Sequence, residues 1–221
     1  MKIFHPISKH KYTLILMHGM NMKIEELFNL SYYLQNNIKN LKIILPESPK
    51  RNITWPSGIE YNIKSWYNYF TCYNNKYNHD SININHFNEQ TKKIYKILDK
   101  EILILNNKSN NIIIGGFSQG GTLAFNIGLN YYHKLGGIIG IHTIFMNNII
   151  NINNSNKISI YLFSGKKDKI YNINFQKKSL DDLRKKNYQI FWNIEDNIGH
   201  CEYSDNEHPF ILDSIKNILF F

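Results

Sequence analysis

Six short apolar runs punctuate the chain: Tyr12 to Met17, Leu41 to Leu45, Ile112 to Ile114, Ile138 to Ile141, Ile158 to Phe163 and Gln189 to Trp192. Each is continuous rather than alternating, and each ends in a turn signal. That pattern belongs to strands covered on both faces, as in a parallel sheet between helical layers. The stretches between them carry helical spacing. In Lys23 to Lys39 the positions Ile24, Leu27, Phe28, Leu30, Tyr33, Leu34 and Ile38 form one stripe; Gln90 to Leu105 repeats it, interrupted at Glu101. Leu123 to Tyr132, Ile173 to Lys186 and Asn206 to Phe221 supply further helices, and Ser204 with Glu207 has the spacing of a capping box. Strand and helix alternating in this way predict an α/β fold with a mostly parallel central sheet flanked by helices, joined by right-handed crossovers. At 221 residues, one domain spanning 1–221 is the expectation. Residues 72–88 are Asn-rich with little periodicity and read as a mobile surface loop.

Composition narrows function mainly by exclusion. Lys plus Arg is 26 against 17 Asp plus Glu, a net charge of +9 that on its own would suggest nucleic acid or an anionic membrane. The 37 Ile, 33 Asn and 24 Lys stand beside no Val, one Ala and two Arg, so the basic charge has the look of a coding bias toward Lys. Arg reads phosphate and base edges in bidentate fashion, and its near absence, with Lys scattered along the chain, argues against nucleic acid. Two cysteines, Cys72 and Cys201, suit free thiols in a reducing compartment. No apolar run approaches the ~18 residues of a membrane helix, and Met1-Lys2-Ile3-Phe4 does not begin a signal peptide. A cytoplasmic protein, peripheral at membranes at most, is expected. Nothing in the sequence speaks to oligomeric state.

The sharpest local feature is Ile113-Ile114-Gly115-Gly116-Phe117-Ser118-Gln119-Gly120-Gly121, a buried strand running through Gly-x-Ser-x-Gly into a helix. In a nucleophile elbow the serine occupies a strained turn, and the flanking glycines prevent clashes with the crowded neighbouring elements. A plain Gly-rich turn has no need of glycines placed on both sides of one serine. A serine hydroxyl is a poor nucleophile at neutral pH and needs a base, with a third group to orient that base. In the order serine, acid, histidine, Asp168 follows one strand in Ser164-Gly165-Lys166-Lys167-Asp168, and His200 follows the next in Asn197-Ile198-Gly199-His200. Asp181 and Asp182 fall inside a helix, Glu195 and Asp196 precede the histidine loop, and His18 and His142 lack the position in that order. Charge developing on a carbonyl oxygen needs backbone N–H donors. Gln119, next after Ser118, is one, and Met20, in the loop after the strand Leu14 to Met17, is the other. No metal or cofactor is called for.

Together these motifs resemble the acyl-protein thioesterase and small carboxylesterase (lysophospholipase-like) family of α/β-hydrolases. The resemblance is carried by Leu16-Met17-His18-Gly19-Met20, by Pro46-Glu47-Ser48-Pro49 through Thr54, by Trp66-Tyr67-Asn68, by Gly116-Phe117-Ser118-Gln119-Gly120-Gly121, by Gly165-x-x-Asp168 and by Gly199-His200. It runs from about residue 12 to the C-terminus. It implies an acylated protein or lipid ester as substrate: hydrolysis of long-chain acyl thioesters on proteins, typically S-palmitoyl cysteine, or alternatively of carboxylic and lysophospholipid esters. The sequence departs from the family at Asn21 and Met22, where a small residue and Asp are usual, at Asn68 in place of Asp, and at His142 in place of Ser. A non-catalytic lipid- or partner-binding member of the fold would be expected to have lost a triad residue, and none is lost. Transient contact with an anionic membrane surface is compatible with the net charge. Trp55, Trp66, Tyr67 and Phe70 could wall an acyl groove but equally read as core, and Cys201 reads as packing rather than as a redox switch.

Overall fold

The structure is a computed structural model that describes residues 1–71, 80–152 and 157–220. Along the chain run β1 (Lys2–Phe4), β2 (Tyr12–Met17), α1 (Phe28–Asn37), β3 (Leu41–Leu45), β4 (Lys50–Trp55), β5 (Gly58–Lys64), β6 (Tyr69–Thr71), β7 (Ser81–Ile82) and α2 (Ile84–Ile104). There follow β8 (Ile112–Phe117), α3 (Gln119–Asn130), β9 (Gly137–Ile141), β10 (Ser159–Gly165), α4 (Ile173–Ser179), α5 (Asp181–Lys185), β11 (Ile190–Glu195) and α6 (Glu207–Phe220). Seven strands form the main sheet in the order β1-β3-β2-β8-β9-β10-β11. All neighbours pair in parallel except β1, which runs antiparallel to β3.

Successive side chains in a strand point to opposite faces, and both faces here are covered. Leu14, Leu16, Ile43, Ile113, Ile139 and Ile141 face one core with Leu27, Leu30 and Leu34 near α1 and Ile211 and Ile215 of α6. Their alternates Ile15, Met17, Ile44, Ile114 and Ile138 face another with Phe87, Ile94 and Leu98 of α2 and Leu123 and Phe125 of α3. This is why the runs read as unbroken apolar stretches. Truncating one of these fully buried Leu or Ile residues to Ala costs about 2–5 kcal/mol. From β2 the chain moves outward to β3, then returns across to β8 on the other side. The carboxyl ends of β2 and β8 therefore flank the point where strand order reverses, the place where α/β sheets open a crevice.

Several sequence expectations need correction. The loop read at 72–88 is not a loop over its last part: Ser81–Ile82 pairs with Tyr69 and Thr71, and α2 begins at Ile84. Asn83 caps it by accepting the His86 N–H at 3.1 Å, so asparagine, which argued for a loop, here starts a helix. Residues 72–79 of that segment lie outside the described residues. The β4–β5 hairpin lies outside these expectations: β5 is largely exposed, Ile53 is the one buried residue of β4, and neither strand carries an apolar period. Ser204 and Glu207 make no capping box: Ser204 Oγ donates to Glu195 at 2.5 Å, and Glu207 turns toward His142. Glu101, the interruption in the α2 stripe, is 4% exposed and meets Lys42 at 2.5 Å and the Thr13 hydroxyl at 3.0 Å. The Asn-rich turn after α2 also has a structural use, since Asn106 and Asn107 take φ of 54° and 63°.

Candidate active site

β8 delivers Ser118 to the crevice, and α3 starts immediately after it. Ser118 has φ +46° and ψ −116°, a conformation that costs a non-glycine residue about 1–3 kcal/mol and persists only where the surroundings over-determine it. Those surroundings are visible. The Ser118 N–H donates to the Ile141 carbonyl at 2.9 Å, while its own carbonyl accepts from Thr122 N–H at 3.1 Å and the Thr143 hydroxyl at 2.7 Å. The glycines have steric reasons. A Cβ on Gly116 would lie 2.4 Å from the Gly120 carbonyl carbon, and one on Gly120 would lie 2.5 Å from the carbonyl oxygens of Met17 and His18.

His200 Nε2 lies 2.8 Å from Ser118 Oγ, and its Nδ1 lies 2.7 Å from Asp168 Oδ2. Asp168 is 2% exposed, and its Oδ1 accepts the N–H groups of Ile170 at 2.8 Å and Tyr171 at 2.7 Å. With the carboxylate held by backbone, Oδ2 is left for the imidazole. The histidine loop is closed by Glu202, which accepts the Gly199 N–H at 2.9 Å. The three side chains are drawn from three loops at the carboxyl ends of β8, β10 and β11, so the sheet aligns them.

Met20 lines the cavity at Ser118, and Gln119 follows that serine directly in the chain. The Gln119 N–H begins α3 and has no partner within the helix. Its buried side chain clamps residues 65–67, accepting the Trp66 N–H at 2.8 Å and donating to the Tyr67 carbonyl at 2.8 Å. Met20 sits in the turn after β2, which His18 braces. His18 is fully buried; its Nδ1 meets the Gly19 carbonyl at 2.7 Å, its Nε2 accepts the Ser48 N–H at 3.1 Å, and its carbonyl accepts Trp66 Nε1–H at 2.8 Å. Burial holds its imidazole below the usual range, consistent with a neutral ring that accepts at Nε2. Asn21, next in that turn, occupies φ +60°.

The other candidates separate cleanly. Asp181 and Asp182 lie in α5, and Asp196 pairs with Lys166 at 2.8 Å on the surface. Trp66 and Tyr67 are core residues, Phe70 is 44% exposed, and none of the three lines the cavity at Ser118. Cys201 is exposed, and partial burial together with Asp168 and Glu202 pushes its thiol up, away from the reactive thiolate. Asn68 bonds the Thr54 N–H at 2.8 Å through Oδ1 and the Thr54 hydroxyl at 2.7 Å through Nδ2, a donor that Asp would lack.

Two features escaped sequence reasoning. Tyr171, whose N–H holds Asp168, packs its ring edge-on to His200 at 5.4 Å and donates its hydroxyl to buried Asp80 at 3.1 Å. Burial and the Asp80 carboxylate push its phenol well up. The second is a cavity of about 740 Å³ beside Ser118, whose lining includes apolar Met22, Leu27, Leu30 and Phe117 and polar His142 and Glu207. No local pattern marks that pair, since 65 residues separate its members. Among the described residues, no group of three His, Cys, Asp or Glu side chains is arranged to hold a metal.

The phospholipase/carboxylesterase family model matches residues 1–217, and the chain belongs to that family of serine hydrolases. Among individual proteins, it is similar to acyl-protein thioesterase 1 of Eremothecium gossypii, 28% identical over 135 residues, covering 58% of this chain and 53% of that protein. The match thus spans about half of that relative's length. Acyl-protein thioesterase 1 of Gibberella zeae is 24% identical over 214 residues, covering 90% of this chain and 87% of the relative. The crystal structure of Arabidopsis thaliana SOBER1 superposes with a TM-score of 0.81 at 21% identity, covering 95% of this chain and 99% of that one. That likeness shows the α/β-hydrolase fold.

Proposed function

We propose that this protein hydrolyses long-chain acyl thioesters on proteins through an acyl-enzyme, with Ser118 as nucleophile, His200 as base and Asp168 as its orienting carboxylate. The observation that carries the reading is the continuous contact from Ser118 Oγ through His200 to Asp168, at 2.8 and 2.7 Å, on a serine held at φ +46°. The thioester is favoured over other acyl bonds because the similar curated proteins are named acyl-protein thioesterases. The alternative, a carboxylesterase or lysophospholipase acting on small or lipid esters, is supported by the family's description and uses the same groups.

In mechanism, His200 Nε2 takes the Ser118 proton as Oγ attacks the acyl carbonyl. The N–H groups of Met20 and Gln119 receive the oxyanion; losing one such donor typically costs about 10²–10³ in rate. Collapse breaks the C–S bond, and the thiol departs with the proton from His200. Water, deprotonated by the same nitrogen, then attacks the acyl-serine, and the freed serine recovers its proton. Asp168 keeps the imidazole in one tautomer and balances its charge during each transfer. We read residues 1–221 as one catalytic domain, in line with the single seven-stranded sheet. The net charge of +9 supports transient contact with an anionic leaflet, where acylated proteins sit, and the cytoplasmic side is where the few cysteines suit the chain.

A fluorophosphonate probe should label Ser118, and Ser118→Ala should abolish labelling and turnover together. Full turnover in that variant would refute the assignment. Matched thioester and oxygen-ester substrates across acyl lengths separate the two readings, and an optimum at short acetyl-like esters would overturn the long-chain one.

A further inference from the structure

The cavity beside Ser118 has the wrong charge for the rest of the molecule. The chain is basic overall, with 26 Lys and Arg, yet among the described residues the cavity lining contains no Lys or Arg and three carboxylates, Glu26, Glu202 and Glu207. None of the three forms an ion pair with Lys or Arg among the described residues. Glu26 and Glu202 are exposed at the mouth and each accepts a backbone N–H. Glu207 is different, being 5% exposed. A carboxylate at that depth is costly unless something completes its coordination.

Its neighbour is His142, 4% exposed and held at φ +46° by the donation of its own N–H to the Phe163 carbonyl at 2.8 Å. The ring's Nε2 stands 3.4 Å from Glu207 Oε2, short of hydrogen-bond geometry, and neither ring nitrogen has a hydrogen-bond partner. The ring lies 6.2 Å, centre to centre, from that of His200. A buried imidazole with neither nitrogen hydrogen-bonded and a buried carboxylate beside it thus line the same cavity as Ser118 and His200. The same lining includes Met22, Leu27, Leu30 and Phe117, which suit a methylene chain and leave the carboxylates to the polar portion of a substrate.

We propose, resting on the acyl-hydrolase reading above, that Glu207 and His142 form a cation-recognising subsite for the leaving portion of the substrate. A positively charged group carried by the leaving thiol is drawn toward Glu207, with Glu26 and Glu202 guiding its entry. The same carboxylates repel an anionic leaving portion. The cation's source is either a small ammonium-bearing thiol or a basic side chain next to an acylated cysteine.

The test compares octanoyl thioesters of thiocholine, of its uncharged isostere 3,3-dimethylbutane-1-thiol and of 3-mercaptopropionate. A second arm uses S-octanoyl cysteine peptides in which one flanking residue is either Lys or norleucine. Wild-type kcat/KM should be about tenfold higher for the cationic member of a pair, the scale of one specific polar contact, and lowest for the anionic ester. Glu207→Gln should bring the cationic-to-neutral ratio toward one, a readout independent of how much enzyme is folded. Should that variant fail to fold, Glu26→Gln at the mouth should still lower the ratio. Preference in only one arm identifies the source of the cation. Equal rates within both pairs, or faster cleavage of the anionic ester, overturn the subsite. Absence of any Ser118-dependent hydrolysis would instead refute the hydrolase reading.

Discussion

Asp168 and Glu101 are both buried carboxylates beside a histidine, yet they terminate differently. Glu101 is 4% exposed and closes a circuit: Lys42 supplies a counter-charge at 2.5 Å, the Thr13 hydroxyl donates at 3.0 Å, and His10 bonds that hydroxyl at 2.9 Å. Every group ends on another structural group. Asp168, at 2% exposed, has no Lys or Arg partner among the described residues; two backbone N–H groups hold one oxygen, and His200 takes the other. The far nitrogen of His200 then reaches Ser118 Oγ, a group that opens on a cavity. A buried ionic cluster marks function when its chain of contacts leads to an exposed reactive atom, and architecture when it leads back into the core.

The largest expected effect comes from breaking the open chain. Asp168→Asn keeps the size of the side chain and its backbone bonds but disturbs the His200 tautomer, and kcat should fall about 10⁴-fold with little change in thermal midpoint. A loss below tenfold would mean that another group orients the base. In the closed circuit the same kind of change should act on stability. Glu101→Gln leaves Lys42 buried without its counter-charge and should cost about 3–5 kcal/mol in urea unfolding, with turnover per folded molecule unaltered. A turnover defect there would blur the distinction. Replacing both partners, Lys42→Met with Glu101→Leu, should return to within about 1 kcal/mol of the parent, because an apolar pair of matched volume avoids desolvation. A double variant as weak as the single would mean that Thr13 and His10 carry the cluster.

The smallest effect is on pH dependence. Burial holds His10 and His18 below the ordinary imidazole value in the folded state, so the unfolded chain binds protons first as acid is added. Their contribution is full above about pH 6.5, the ordinary value, and is lost as pH falls through the lower folded values. Unfolding midpoints should therefore drop on the acid side of neutrality, and the slope should be shallower in His18→Gln. An unchanged slope would show that His18 does not carry this linkage.

Much of the site was legible along the chain. Gly116 and Gly120 sit in the sequence where a Cβ would strike backbone, so the elbow leaves a local imprint around Ser118. Asp168 and His200 were readable because loops after successive parallel strands emerge at one end of the sheet. The departures have equally local causes. Asn83 serves as a helix cap within a run of residues that otherwise signals loop, and β4 and β5 bury only Ile53 between them, so no hydrophobic period is required. Glu101 looked like a flaw in an apolar stripe because its partner Lys42 is 59 residues away.

Sequence alone determined the layered α/β architecture and the identity of Ser118, Asp168 and His200 as candidates, since strand burial, crossover direction and the crowding at an elbow are all properties of short segments. Only the tertiary structure decided what the ring nitrogens of each histidine meet. His18, His142 and His200 each follow a strand, and one spends both ring nitrogens on backbone, one has both unspent beside Glu207, and one bridges a carboxylate and a serine. An imidazole's role is set by what its two nitrogens meet, and those partners come from loops that only the folded sheet brings together.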